Sequence, residues 1–147
     1  MPTTLAEEVQ QAWGWIGIEA EEIVRENDFG HLIVKDKHGS YWRISPEELS
    51  CEVLASNRDE LDAVSLDHSF VADWSMRALL EQAEERLGSL VPGRKYCFKI
   101  PTVFGGEYGG ENLATISLIE LIRVSGDLAR QIKDLPDGTP VRLKIVD

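Results

Sequence analysis

The chain is poor in the residues that build metal centres and redox sites. It has two cysteines and three histidines among 147 residues. Neither Cys51 nor Cys97 has a CxxC partner, and His31, His38 and His68 show no HxxxH or HxH spacing. Metal binding needs clustered ligands, so no metal and no cofactor are expected. A Cys51–Cys97 disulfide is open on sequence grounds, but two free, buried thiols in a reducing compartment are favoured. No apolar run approaches the ~20 residues that span a bilayer. The N-terminal MPTTLAEEVQQAW lacks a basic stretch and carries two glutamates where an apolar core would begin. It does not read as a secretory signal, so a cytoplasmic location is expected.

Catalytic signatures are also missing. There is no GxSxG elbow. Ser125-Gly126-Asp127 falls inside a predicted helix and reads as a close packing point. The pairs Glu47-Glu48 and Glu84-Glu85 are carboxylates of the kind used in acid–base work, but Glu-Glu on a helix is usually a solvated face. An enzyme is therefore not expected.

The remaining composition is that of one ordinary globular domain, with 43% hydrophobic and 28% charged residues. The net charge is −11, and its distribution is uneven. Residues 1–73 carry 5 Lys/Arg and 16 Asp/Glu, whereas residues 74–147 carry 10 of each. That acidity disfavours nucleic acids and anionic membranes and favours a basic protein partner. An acidic surface that only maintains solubility is the plainer alternative.

Periodicity gives the element order. Leu5–Trp15 reads as a helix capped by Thr3 or Thr4. The stretch from Glu19 to Arg25 is ambiguous. HLIVKD and SYWRIS form a hairpin around Lys37-His38-Gly39, and Pro46 ends the second strand before a helical turn. Cys51–Ala55 reads as a strand with Cys51, Val53 and Ala55 on one side. Residues 58–67 read as a polar loop. A helix then runs from Ser69 to Gly88, with Phe70, Trp74, Ala78, Leu79, Ala83 and Leu87 on one stripe. After a Pro92-Gly93 turn, KYCFKI is a strand with Tyr96, Phe98 and Ile100 on one face. NLATIS is another strand, and Ser117 caps a helix from Leu118 to Lys133 with Glu120 at its third position. Pro136-Asp137-Gly138 is a turn before a final strand, PVRLKIV. The expected class is α+β: one domain with a mainly antiparallel sheet covered by helices.

Four of the 12 glycines fall between Gly105 and Gly110, in the stretch FKIPTVFGGEYGGENL. A Walker loop needs GxxxxGK and Ser or Thr. Here Glu107 would repel phosphate, and Glu111 follows. A Rossmann GxGxxG would join a strand to a helix, but this stretch joins two strands. A sharp turn remains, with Glu107 and Tyr108 at its tip. Tyr108 is there either a protein-contact residue or a cover for the sheet edge.

The run from Leu90 to Val146 resembles the C-terminal module of bacterial type VI secretion immunity proteins. The matching features are Gly93, Tyr96, Pro101, Gly105-Gly106, Asn112-Leu113 and the helix leading to DLPDG. Upstream, FGHLIVKDKHGSYWRISPEEL is similar to the GAD-like part found beside that module. The resemblance implies a single immunity-type domain over 1–147, with a GAD-like part at 29–91 and a Tdi-type C-terminal module at 92–147. Its implied function is binding and occlusion of a cognate secreted toxin, with DNase toxins of the Tde type as the best-known targets. Such a protein would be a nuclease inhibitor without catalysis of its own. An acidic half would suit the basic cleft of a nuclease. The candidate contacts are Glu19, Glu21 and Glu22, then Asp59, Glu60 and Asp62, together with Glu107 and Tyr108. A general protein-interaction scaffold of the same fold, with no toxin partner, is the alternative.

Overall fold

The computed structural model describes residues 3–136 and 138–142. The first helix, α1 (Leu5–Trp13), starts at Thr4, whose hydroxyl accepts the Glu7 N–H at 3.1 Å. It is two residues shorter than expected, because a 3-10 turn over Gly14–Ile16 follows it. Four strands then build an antiparallel sheet in sequence order: β1 (Ala20–Glu26), β2 (Leu32–Asp36), β3 (Tyr41–Ser45) and β4 (Ser50–Ala55). The ambiguous stretch at 19–25 is thus edge strand β1, kinked by two register shifts.

This sheet is buried on both faces, which explains why Leu32, Ile33 and Val34 form an unbroken apolar run. Leu32 and Val34 meet Val9, Trp13, Leu118 and Ile122 on the face covered by α1 and α5 (Leu118–Ile132). Ile33 points the other way, into a cluster with Tyr41, Ala55 and Leu61. Cys51, Val53 and Ala55 do not share a face as expected. Between the pairs Trp42↔Val53 and Tyr41↔Ala55 the register slips by one residue. The slip sends Cys51 to the first cluster and Ala55 to the second, and leaves Val53 52% exposed on the sheet edge.

Two helical expectations need correction. Residues 58–65 form helix α2 (Arg58–Ser65), not a loop. Asn57 accepts the Glu60 N–H at 2.9 Å, and the Glu60 carboxylate accepts the Ser56 N–H at 2.6 Å, a reciprocal cap. Leu61 is this helix's one buried residue, too little apolar content to display a period. The long helix expected from Ser69 is two helices, α3 (His68–Ser75) and α4 (Arg77–Leu87), broken at Met76 with φ +45°. Asn27 secures the break by donating from Nδ2 to the Trp74 carbonyl at 3.0 Å. The expected stripe splits accordingly. Phe70 and Trp74 pack on the sheet, Leu79 and Ala83 join Phe29, Tyr96 and Leu113 in another cluster, and Ala78 and Leu87 are exposed.

That cluster lies between α4 and a second antiparallel pair, β5 (Arg94–Phe98) and β6 (Leu113–Ser117). Strand β5 ends before Ile100, which is 46% exposed and not on the face of Tyr96 and Phe98. Ser117 caps α5 through the Glu120 N–H at 3.1 Å. Gly126 faces the Ala12 carbonyl so closely that a Cβ there would collide with it, so Ser125-Gly126-Asp127 is a packing point between α1 and α5. Asp137 of the expected turn lies outside the described residues. Of the expected strand at 140–146, residues 140–142 have no regular structure and the others lie outside the described residues. The architecture is a single α+β domain with a mainly antiparallel sheet covered by helices.

Candidate functional site

The β-register separates the candidate residues into two groups. Glu22, Lys35, Tyr41 and Ala55 align across the four strands, at the end of the sheet that carries the β2–β3 hairpin. Glu19 pairs there with His38 in the turn, and Glu21 Oε2 lies 3.4 Å from Lys35 Nζ. Helix α2 starts three residues beyond Ala55, which brings Asp59, Glu60 and Asp62 to the same end. All six acidic candidates are exposed. Four are engaged locally: Glu60 caps its helix, Asp62 pairs with Arg58 at 2.9 Å, Glu21 with Lys35, and Glu19 holds His38. Such exposed pairs contribute little to stability, so their charge projects into solvent.

Asp36 organises this end. Burial pushes its carboxyl up, but three donors outweigh that and hold it below the usual range: Trp42 Nε1 at 2.8 Å, Ser40 N–H at 3.0 Å and His38 N–H at 2.8 Å.

Glu107 and Tyr108 lie at the opposite end. Gly106 packs against the Ile100 carbonyl with no room for a Cβ, and Gly109 takes φ +138°. Asn112 clamps the loop by donating to the Ile100 and Glu107 carbonyls at 3.0 and 2.8 Å. The Glu107 side chain is exposed. The Tyr108 ring stands edge-on to Phe98, and its hydroxyl shares a 3.0 Å hydrogen bond with Thr102. Thr102 in turn donates to the Glu47 carbonyl at 3.1 Å. Tyr108 therefore flanks a cleft of about 600 Å³ between β4, α3 and the glycine loop.

The cleft floor holds a polar chain that sequence reasoning missed. His31 and Glu47 are both buried, with His31 Nε2 2.6 and 2.7 Å from the two carboxylate oxygens. Glu47 is thus not the solvated partner of Glu48 that a Glu-Glu pair implied; only Glu48 faces water. On the other side of the ring, Arg43 Nη2 lies 3.0 Å from Nδ1, and Arg43 Nη1 lies 2.7 Å from Asp73. The guanidinium also rests over Phe70 and Trp74. A guanidinium has only donors, so Nδ1 accepts and the ring proton sits on Nε2, facing Glu47. Ser45 Oγ is 3.4 Å from the same Nδ1, an arrangement with the outline of a Ser–His–Glu triad. Here Arg43 occupies the lone pair that a general base would need. As built, the chain of charges braces the cleft.

One half of this arrangement was legible. The hairpin register Leu32↔Ile44 places Ser45 opposite His31. Asp73 had no sequence signal, because α3 reaches the sheet only through the unforeseen break at Met76.

Burial pushes the Cys51 thiol up to about 12 and the Cys97 thiol up to about 11, and both are free. Among the described residues, no three His, Cys, Asp or Glu side chains converge as for a metal ion. None of the described helices is long and apolar enough to cross a membrane.

The fold and these two ends define a class: a small α+β domain with an acidic end and a cleft lined by both polar and apolar side chains. Residues 55–129, just over half of the chain, match the family described as T6SS immunity protein Tdi1, C-terminal. The chain belongs to that family. No curated protein matches it.

Proposed function

We propose that this protein is a bacterial, cytoplasmic immunity protein that binds and occludes a cognate secreted toxin, a nuclease with a basic surface, and performs no catalysis itself. The observation that carries this reading is family membership across residues 55–129. That segment contains Asp59, Glu60, Asp62, Glu107 and Tyr108; Glu19, Glu21 and Glu22 lie upstream of it. Carboxylates gathered at one end of the sheet supply a field that attracts a basic partner and accelerates its encounter. Tyr108, on a clamped loop, is a contact with little side-chain entropy left to lose.

The test is co-expression. The C-terminal domain encoded by the neighbouring open reading frame is produced in a bacterium with and without this protein, and a tag on either is used for capture. Rescue of growth together with a stable complex is the expected result. Absence of both toxicity and complex would leave a general interaction scaffold as the better description.

A further inference from the structure

The cleft beside β4 sets carboxylates among exposed apolar groups. Its charged lining is four carboxylates, Glu47, Glu48, Glu52 and Asp73, against the single guanidinium of Arg43, with the His31 ring on its floor. Arg43 is already committed to Asp73 and His31. Glu48 and Glu52 are exposed and have no ion-pair partner among the described residues. Between these carboxylates stand apolar groups: Val53, 52% exposed within its strand, Met76, Leu79 and the 58% exposed Tyr108. Apolar walls with carboxylates suit a long side chain that buries its methylene stem and carries a cationic head. Tyr108 adds a ring face, held in place by Phe98 and Thr102. Strand β4 is also the outer strand of its sheet, so it presents an edge to which an extended chain can add.

We propose that this cleft is the anchoring site for an extended, arginine-bearing segment of the partner protein. The arginine inserts between Glu48, Glu52 and Tyr108 while the segment's backbone runs along β4. The proposal rests on the immunity reading and divides the labour between the two ends. The hairpin end speeds the encounter, and the cleft holds the complex.

The experiment uses the full-length chain and the C-terminal domain encoded by the neighbouring open reading frame. Association and dissociation rates are measured for wild type, for E48K/E52K and for E19K/E21K/E22K, and amide exchange is recorded for free and bound wild type. The two exposed glutamates can be reversed without disturbing the core, which circular dichroism would verify. The expected result is a rise in Kd of about thirtyfold or more for E48K/E52K, mostly in the dissociation rate. For E19K/E21K/E22K it is a fall of about tenfold in association rate with little change in dissociation. Amides of residues 50–54 should exchange more slowly in the complex. A wild-type complex in which E48K/E52K binds within about twofold of normal, or in which residues 50–54 gain no protection, overturns the cleft assignment and leaves the immunity reading standing. If wild type neither binds nor protects, the immunity reading fails and the cleft assignment falls with it.

Discussion

The two ends of the four-stranded sheet treat charge in opposite ways. At the hairpin end, carboxylates other than Asp36 are exposed and either unpaired or engaged with near neighbours such as His38, Lys35 and Arg58. At the cleft end, Glu47 and His31 are buried in direct contact and connect through Arg43 to Asp73 on a separate helix. Water screens the first group, so those residues can change with little effect on the fold. In the second group His31 and Glu47 have given up their water, so each depends on the other. The contrast shows where this fold can vary freely and where it cannot.

The largest effect is expected from Glu47→Ala. It leaves the buried His31 Nε2–H without its acceptor and should cost about 3 kcal/mol in a denaturant titration. A loss below about 1 kcal/mol would show the relay to be dispensable and erase the contrast. Asp36→Ala is the next test, because Asp36 is the one buried carboxylate of the hairpin turn. Losing the acceptor of three donors should cost about 1–3 kcal/mol. A cost equal to that of Glu47→Ala would mean that both ends are equally braced. Charge reversal of Glu19, Glu21 and Glu22 should change stability by no more than about 0.5 kcal/mol per site, while association with a basic partner slows and its salt dependence shrinks.

The smallest effect is a pH window at a third place. Hydrogen bonds from Arg123 and then Thr3, against an upward push from burial, hold Glu8 at about 2 rather than 4.5. Its contribution to the α1–α5 contact is complete above about pH 4.5 and is lost as pH falls toward 2. Glu8→Gln should flatten the acid limb of the stability profile in that window, read by thermal melts at stepped pH. An unchanged limb would show that Glu8 does not set the acid sensitivity of the fold.

Much of this fold was readable from local chemistry. Thr4, the Lys37-His38-Gly39 turn, Pro46, Ser117 with Glu120, and Gly126 each act on near neighbours or through a missing Cβ, and each did what its residue type demands. The errors share a cause. Helix α2 is amphipathic over too short a length to show a period. The break at Met76 depends on Asn27, 49 residues away. The face change at Ala55 depends on a register slip against Tyr41. At the candidate site, the acidic residues could be found by counting charge, but their gathering at one end could not. Glu47 resembled a solvated residue because nothing local shows that His31 will close over it.

By itself, then, the sequence determined the α+β class, the hairpin and its register, the caps, and the acidity of the first half, because capping, turn geometry and charge act over a few residues or simply add. Tertiary structure alone decided that six carboxylates share one end, that Tyr108 stands beside a cleft, and that His31, Arg43, Glu47 and Asp73 meet. Burial and register are properties of elements packed together, and whether a carboxylate faces water or a histidine is settled only when the other wall arrives.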